Sequence, residues 1–307
     1  MTSTPVIDVD RLNVSYGGFH AVRDVSFQVC PGELYALLGT NGAGKTSTLE
    51  TVEGHRSPTS GSVRVFGRSP RDRRAVRPRM GVMLQESGFS PDLTVRESVR
   101  LVGALTGRTD RVDRVLGAVD LTRKAGTLVS QLSGGEKRRL DFATAVYGTP
   151  ELVFLDEPTT GLDIRSRDDL WAAVDRLRED GSTVVLTTHY LEEAQQRADR
   201  IGLMHRGSLH REGTVAELTR ALPAVIRFSL PARPPSAAAP APPLPAVPVG
   251  GGDGSGAGEG RFVIETFSLQ KDLSLLLDWA RDNGVELADL AAGPTRLDDV
   301  FRAIDDD

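Results

Sequence analysis

Short runs of apolar residues alternate with helix-like patterns over roughly the first 220 residues of the chain. Four of these runs are hydrophobic throughout and closely bounded by polar or glycine-rich segments. Runs of this kind suit strands that are covered on both faces by helices. They predict the parallel sheet of an α/β fold, with strands at Leu34–Leu38, Gly81–Leu84, Leu152–Leu155 and Thr183–Thr187.

Partial alternation of apolar and polar residues marks a second type of strand. Residues 6–14 and 22–29 alternate in this way and predict an antiparallel pair. Residues 201–204 and 208–212 flank the Arg206-Gly207 dipeptide, which predicts a β-hairpin. Antiparallel strands are therefore expected beside the parallel sheet.

The composition changes sharply between Pro231 and Gly260, where eight prolines and seven glycines fall within thirty residues. This segment has almost no large apolar side chains to bury, so we predict that residues 231–260 are disordered. Ala224–Leu230 before it and the strand-like Arg261–Thr266 and Val285–Leu290 after it would pair in one sheet. The segment is therefore predicted to be a loop inside a small α+β domain at 223–307, which follows a larger domain at 1–222.

Two helices are predicted within this second domain. The first has one apolar face and ends at Gly284, a residue type favoured just after a helix. The second begins at Thr295 and Asp298, which have the spacing of a capping box. The residues expected to face inward are Leu269, Leu273, Leu276, Leu277 and Ala280 in the first helix and Leu297, Val300, Phe301 and Ile304 in the second.

Composition and charge exclude several classes of protein. The 307 residues carry a formal net charge of −5 and 26% charged residues, which argues against a generally basic protein that coats nucleic acid. The single Cys30 allows neither an internal disulfide nor a thiolate cluster for zinc. No run of about 18 uninterrupted apolar residues is present, so no membrane-spanning helix is expected. The acidic, non-apolar start likewise argues against a secretory signal.

The strongest chemical signal is the segment from Gly39 to Thr46, which follows an apolar strand and precedes a helical pattern. It matches G-x-x-x-x-G-K-[ST], a loop whose glycines turn backbone N–H groups towards phosphate oxygens. The helix N-terminus adds partial positive charge. Lys45 would place a point charge on the β- and γ-phosphates, and the Thr46 hydroxyl would be a ligand for Mg²⁺.

A pair of carboxylates supports this interpretation. Asp156 and Glu157 follow the apolar strand at 152–155, and ligands of open α/β sheets lie at the carboxyl ends of strands. Asp156 could hold the metal ion, and Glu157 could orient or deprotonate an attacking water. Together with the phosphate loop, the pair indicates a nucleoside triphosphatase or a kinase.

A second phosphate-binding surface is predicted at Ser133-Gly134-Gly135, where a helix begins with bare amides and a serine hydroxyl. One nucleotide cannot easily use both surfaces of a single chain. A head-to-tail dimer explains both, because this surface would then cap the nucleotide held by a partner.

Three further side chains are candidates for the same site. His189 follows the strand at 183–187 and could reach the γ-phosphate, and Gln85 ends another strand and could meet the metal or the water. Tyr16 offers an aromatic face for a base, although ordinary packing explains it equally well.

These motifs resemble those of the nucleotide-binding subunits of ATP-binding cassette (ABC) transporters over about residues 5–220. The resemblance implies a P-loop NTPase fold with a RecA-like core, an antiparallel β subdomain and a helical signature subdomain at about 86–145. In this family's terms, Gly39–Thr46 is the Walker A loop, Gln85 the Q-loop, Leu132–Glu136 the signature motif, Leu152–Glu157 Walker B, Gly161-Leu162-Asp163 the D-loop, His189 the switch histidine and Tyr16 the adenine-stacking aromatic residue.

The resemblance also implies the ligands, MgATP, and the residues that hold them. Catalysis would use Glu157, His189 and Gln85, and the metal would be bound by Thr46, Gln85 and Asp156. The nucleotide would be bound by Tyr16, Gly39, Thr40, Asn41, Gly42, Ala43, Gly44, Lys45, Thr46, Ser47, Ser133, Gly134, Gly135 and Asp163.

Two positions depart from the family pattern, since Thr40 replaces the usual proline and Glu136 the usual glutamine. The segment THYLEEAQQRADRI and the ending LDDVF resemble drug-efflux ATPases of the daunorubicin-resistance type. The implied partners are integral membrane permease subunits, a second ATP-binding subunit and no nucleic acid. The implied location is the cytoplasmic face of the membrane, with residues 86–97 against the permease.

Two other functions stay open at this stage. One is an ATP-dependent switch that acts on ribosomes or nucleic acid; such proteins usually carry two cassettes or a long coiled coil. The other is import, which in bacteria commonly needs an extracellular binding protein. Seven arginines between Arg64 and Arg79 suit a solvated surface better than a lipid-binding one.

Overall fold

A computed structural model describes residues 4–85, 88–220, 222–230, 242–248 and 260–305. The chain forms two compact units, Met1–Val215 and Ala216–Asp307. The predicted domain boundary at 222/223 and the limits of the helical subdomain stay predictions. Within the described residues, no helix is both long and apolar enough to cross a membrane.

The first unit is built around a six-stranded sheet whose central strands are fully buried. Its order is β5-β6-β7-β3-β8-β9, and all neighbours are parallel except the edge pair β8 and β9. Burial on both faces explains the continuous apolar runs in the sequence. The strands are β3 (Leu34–Gly39), β5 (Met80–Met83), β6 (Leu152–Asp156), β7 (Thr183–Thr187), β8 (Arg200–His205) and β9 (Ser208–Gly213).

An antiparallel sheet lies over the helix that follows β3. Its order is β2-β1-β4, with β1 at Ile7–Tyr16, β2 at Phe19–Val29 and β4 at Ser60–Val65. Helix α1 (Lys45–Val52) contacts both sheets. One hydrophobic core combines residues of both sheets and α1, so it holds the start of α1 rigidly beside the end of β3.

The remaining helices surround the parallel sheet or extend from it. Helices α3, α4 and α5 follow β5 in sequence, and both α3 and α5 begin with complete capping boxes, at Thr94–Glu97 and Ser133–Glu136. The helices are α2 (Arg73–Val76), α3 (Val95–Thr106), α4 (Val112–Ala118), α5 (Gly134–Val146), α6 (Ile164–Glu179), α7 (Leu191–Arg197) and α8 (Val215–Arg220), with 3₁₀ turns at Arg77–Arg79, Thr122–Lys124 and Val129–Gln131.

The second unit contains a four-stranded antiparallel sheet in the order β11-β12-β10-β13. The strand before the proline- and glycine-rich segment, β10, pairs with β12 and β13 after it, as predicted. Helix α8 crosses the boundary between the units, and the two helices after it bury Leu276, Ala280, Leu297, Val300 and Ile304. The elements are β10 (Ala224–Leu230), β11 (Val247–Pro248), β12 (Gly260–Thr266), α9 (Leu269–Asp282), β13 (Ala288–Gly293) and α10 (Leu297–Asp305).

The prediction of disorder over residues 231–260 is wrong in part. Residues 231–241 and 249–259 lie outside the described residues. Between them, Val247 and Pro248 pair with β12, and Leu244 and Ala246 pack against the core of this unit. A proline-rich segment can therefore form an edge strand, because an edge leaves the missing N–H unneeded.

Three local predictions in this unit also differ from the structure. The strand predicted at 285–290 begins at Ala288, because the Val285 N–H bonds to the Ala280 carbonyl and closes α9. Leu277, predicted to face inward, is 41% exposed. The last helix begins at Leu297, and the Thr295 hydroxyl donates to the Pro223 carbonyl; the Asp298 side chain of the predicted capping box lies outside the described residues.

Candidate functional site

The parallel sheet brings the predicted chemistry to one edge. The strands β5, β6, β7 and β3 run in the same direction, so Gln85, Asp156, His189 and the phosphate loop follow carboxyl ends that lie together. Gln85, Asp156 and Glu157 therefore line one cavity together with the start of α1.

Close backbone contacts explain two glycines of the phosphate loop. At Gly39, an added Cβ would lie 2.4 Å from the Met204 carbonyl oxygen, and at Gly44 it would lie 2.4 Å from that of Ala21. Gly44 also has a φ of 98°, a conformation that L side chains rarely adopt. It precedes α1 without any side-chain cap, so the first amides of α1 are available to an anion.

Lys45 is held against the loop it belongs to. Its ammonium group donates to the carbonyl oxygens of Gly39, at 2.7 Å, and Thr40, at 3.1 Å. Burial lowers the pKa of Lys45, while the nearby charges of Glu157 and Asp156 oppose that shift. A cation is therefore held at the centre of the loop, where a phosphate would replace its carbonyl partners.

Asp156 and Glu157 occupy different environments although they are adjacent. Burial raises the pKa of Asp156, whose Oδ1 accepts a hydrogen bond from the Thr187 hydroxyl. Glu157 has a φ of 46°, which for a residue with a side chain costs about 1–2 kcal/mol. This conformation follows the end of β6, where the Glu157 N–H donates to the Thr187 carbonyl at 2.9 Å.

Glu157 is in direct contact with the predicted switch histidine. Its Oε1 lies 3.2 Å from His189 Nδ1, and its Oε2 accepts from the Thr160 hydroxyl at 3.3 Å. The imidazole is tilted against the Tyr190 ring, with centroids 4.0 Å apart. A carboxylate held by an imidazole and a hydroxyl is suited to orient a water and to accept its proton.

Glu157 lines a cavity of about 260 Å³ at the start of α1, whereas His189 contacts Glu157 without lining the cavity. Tyr16 lies at its rim, 42% exposed, with its hydroxyl 3.0 Å from the Ser47 hydroxyl and the Arg56 guanidinium 4.2 Å from its ring centre. Phe19 and Ala21 also line the cavity but were not predicted from sequence; Phe19 is 63% exposed at the start of β2. The predicted residues that line it are Tyr16, Asn41, Gly42, Ala43, Gly44, Lys45, Thr46, Ser47, Gln85, Asp156 and Glu157.

The residues present fit a magnesium ion that is shared with a phosphate group. Mg²⁺ commonly takes one or two protein carboxylates and completes its shell with waters and substrate phosphates. Thr46, Gln85 and Asp156 all line the cavity. In the described part of the chain, no cluster of three or more histidine, cysteine, aspartate or glutamate side chains could hold a metal without such help.

The signature residues do not line this cavity. Ser133 and Gly134 are exposed at the start of α5, where the Ser133 hydroxyl accepts from the Glu136 N–H at 3.2 Å. Glu136 in turn accepts from the Ser133 N–H at 2.9 Å and lies 3.4 Å from the Lys124 ammonium. Asp163 caps α6 by accepting from the Ser166 N–H at 2.7 Å.

Sequence reasoning missed one residue that contacts the backbone of the site. Arg138, on α5, is 6% exposed and donates to the carbonyls of both Asp156 and Glu157. The sequence places it beside Arg139 and offers no signal that separates the two. Arg139 instead donates to the Val119 carbonyl at 3.2 Å.

Both units match known families. Residues 22–160 match the family described as ABC transporter. Residues 224–295 match a family described as the C-terminal domain of ABC transporter domain-containing protein-like sequences. The second match places the residues on both sides of the proline- and glycine-rich segment in one domain family.

Two curated proteins show the degree of similarity. The chain is 40% identical over 218 residues to the Nod factor export ATP-binding protein I of Paraburkholderia xenovorans (strain LB400), covering 69% of this chain and 72% of that protein. It is 38% identical over 234 residues to the daunorubicin/doxorubicin resistance ATP-binding protein of Streptomyces peucetius, covering 74% and 71%.

The fold is also similar to that of a solved ATP-binding subunit of an ABC transporter. The TM-score is 0.67 at 26% sequence identity, and the match covers 70% of this chain and 92% of that structure.

Proposed function

The chain belongs to the ATP-binding, ATP-hydrolysing subunits of ABC transporters, and from that premise we propose that it powers export through a separate membrane permease. The observation that carries the proposal is the single cavity that Lys45, Asp156 and Glu157 share beside an apolar groove. The similarity to two proteins named for export and drug resistance supports export over import. We propose a drug or an antibiotic as the compound exported.

ATP would bind in this cavity with its phosphates at the amides of the Gly39–Thr46 loop. Lys45 would exchange the Gly39 and Thr40 carbonyls for phosphate oxygens, since its ammonium group already lies among the loop amides. Tyr16 at the rim is placed to stack on the base. Thr46, Gln85 and Asp156 would hold Mg²⁺, which neutralises developing charge on the phosphates when it is bound.

Hydrolysis would depend on Glu157 and His189. Glu157 would orient the attacking water and accept its proton, and the contact with His189 fixes the direction of that carboxylate. Asp156 is tied to Thr187 and would keep its position during this step.

A second copy or a paralogous subunit would complete each site. Ser133, Gly134 and Gly135 do not line the cavity of their own chain and lie at the start of α5. In a head-to-tail dimer they would cap the nucleotide of the partner, so two ATP molecules would join the subunits. Hydrolysis would then release them.

The permease would dock on a groove beside the Q-loop, at the cytoplasmic face of the membrane. This groove has a volume of about 250 Å³, and its lining includes Gly88, Phe89, Ser90 and Leu93 from the segment predicted to meet the permease. Leu84, Leu101 and Leu105 line it as well and are 51%, 47% and 75% exposed. Leu84 adjoins Gln85, so a partner in the groove would lie one residue from the nucleotide cavity.

The test is recovery of the permease from native membranes. Tagged wild-type chain should co-purify an integral membrane protein with several spanning helices, and Leu101→Glu should lose it. Ile164→Glu, at a position 81% exposed and outside the groove, is the matched control and should retain it. Recovery of ribosomes, or equal recovery from both variants, would contradict the proposal. A requirement for an extracellular binding protein would indicate import.

A further inference from the structure

Arg138 makes an unusual set of contacts. It lies in the second turn of α5, one turn after the signature residues, and its guanidinium group bonds, among the described residues, to main-chain carbonyl oxygens of distant segments. Nη1 donates to Leu84 at 2.7 Å and Gln85 at 3.0 Å. Nη2 donates to Asp156 and, at 2.6 Å, to Glu157, and Nε donates to Pro158 at 3.2 Å.

These bonds add side-chain links between three segments that already lie together, because β5 pairs with β6 and α5 contacts both strands. The Leu84 and Gln85 carbonyls belong to the Q-loop, and the other three follow strand β6 at the carboxylate pair. The signature surface is carried on the same helix as Arg138 itself. Only a planar guanidinium has enough donors, in a fixed fork, to bind acceptors on both sides at once.

The arginine lies behind the site. It does not line the nucleotide cavity, and burial lowers its pKa while Asp141, Asp156 and Glu157 oppose that shift. Its effect on chemistry must therefore act through the backbone of Gln85 and Glu157. A displacement of α5 would move Gln85 and Glu157 together, because the carbonyls of both accept hydrogen bonds from the same guanidinium group.

We propose that Arg138 is a positioning residue that couples the signature surface to the hydrolytic centre of the same chain. The proposal rests on the proposed function, in which Ser133–Gly135 caps the nucleotide of a partner. Contact with that nucleotide fixes α5, and Arg138 passes the position of α5 to Glu157. Each chain would then hydrolyse its ATP fastest when the partner's site is also filled.

A second buried arginine provides a matched control. Arg108 is 7% exposed and binds the other end of the same helix, with Nη1 2.7 Å from the Ala145 carbonyl and Nη2 3.2 Å from that of Thr144. Burial lowers its pKa to about 10. Among the described residues, the hydrogen bonds of the Arg108 guanidinium go to Thr106, Thr144 and Ala145 and not to Gln85 or the carboxylate pair, so losing it tests the stability of α5.

The experiment compares Arg138→Gln, Arg138→Lys and Arg108→Gln with wild type, in the full chain. We expect Arg138→Gln to lower kcat by up to about 10²-fold, as misplacement of a catalytic group by 1 Å can do. The Kd for ATP, measured by calorimetry on the monomer, should change less than about threefold, and the Hill coefficient for ATP should fall to about 1. Arg108→Gln should lower Tm with kcat and the Hill coefficient preserved.

Arg138→Lys keeps the positive charge and some of the hydrogen bonds, so it tests the proposal even if Arg138→Gln does not fold. It should fold and still lower both kcat and the Hill coefficient. Wild-type kcat and cooperativity in a folded Arg138 variant would overturn the inference, as would equal kinetic losses in Arg108→Gln. If wild type shows neither cooperativity nor ATP-dependent dimers, the proposed dimer fails as well.

Discussion

The phosphate loop and the signature surface are both helix N-termini with glycines, but their surroundings differ. The loop at Gly39–Thr46 faces an open cavity in which a lysine and two carboxylates converge. The signature residues Ser133 and Gly134 are exposed, and the serine accepts a hydrogen bond from its own helix. One chain thus provides a nearly complete hydrolytic half-site at the phosphate loop and an exposed half-site at the signature surface, and a shared nucleotide would make use of both.

The largest expected effect separates ATP binding from ATP hydrolysis at the phosphate-loop half-site. Glu157→Gln keeps the size of the side chain but removes the carboxylate that accepts the proton, so kcat should fall by about 10²–10⁴-fold. Asp156, Thr46 and Lys45 remain, and ATP should bind about as well as to wild type. With the repulsion of the γ-phosphate relieved, size-exclusion chromatography should show a doubled mass with ATP and not with ADP.

A second substitution, added to Glu157→Gln, tests the half-site at the signature surface. Ser133→Arg places a bulky side chain on an exposed surface and removes the Ser133 cap of α5, which costs about 1 kcal/mol, so the chain should stay folded while the ATP-dependent dimer disappears. A wild-type hydrolysis rate for Glu157→Gln in the assembled transporter would refute the role assigned to Glu157.

Loss of Lys45 should weaken MgATP binding at the phosphate-loop half-site. Lys45→Ala removes charge-assisted hydrogen bonds worth about 1.5–3 kcal/mol, which corresponds to roughly a 10- to 150-fold rise in the Kd for MgATP. Calorimetry measures this directly. Lys271→Ala, at an exposed position of α9, should bind MgATP like wild type. Unchanged affinity in Lys45→Ala would contradict the assignment of the loop.

The smallest expected effect concerns low pH, which should destabilise the start of α5, at the signature residues, before the start of α1, at the phosphate loop. The Ser133 N–H holds the pKa of Glu136 below its usual range, so Glu136 stabilises α5 above about pH 4.5, and that contribution is lost as the pH falls through the folded pKa. Helix α1 has no acidic residue in its first turn. Protection factors from hydrogen exchange should therefore fall between pH 5 and pH 3 in α5 more than in α1.

Glu136→Gln should flatten this pH dependence and shift Tm by about 2–4 °C or less at neutral pH. Lys124→Ala removes the ion pair at 3.4 Å but keeps the cap, so the pH dependence should persist. An equal loss of protection in α1 and α5 would show that acid acts on the whole unit.

Much of the fold was predictable because its signals are local or periodic. The four buried strands, the antiparallel pair at the N-terminus and the hairpin near residue 205 are confirmed, as is the membership of the family. The errors fall in the second unit, where Leu277 is exposed and Val247 and Pro248, in the segment predicted to be disordered, pair with β12. The roles given to individual site residues stay predictions.

The sequence by itself determined the phosphate loop, because its glycines, Lys45 and Thr46 are neighbours whose spacing encodes their geometry. It likewise determined the carboxylates at the end of a buried strand. Only the tertiary structure decided which arginine of the pair 138 and 139 binds the backbone of the site. The acceptors at Leu84 and Asp156 lie 54 and 18 residues away, and no local pattern records which distant carbonyls a helix will meet.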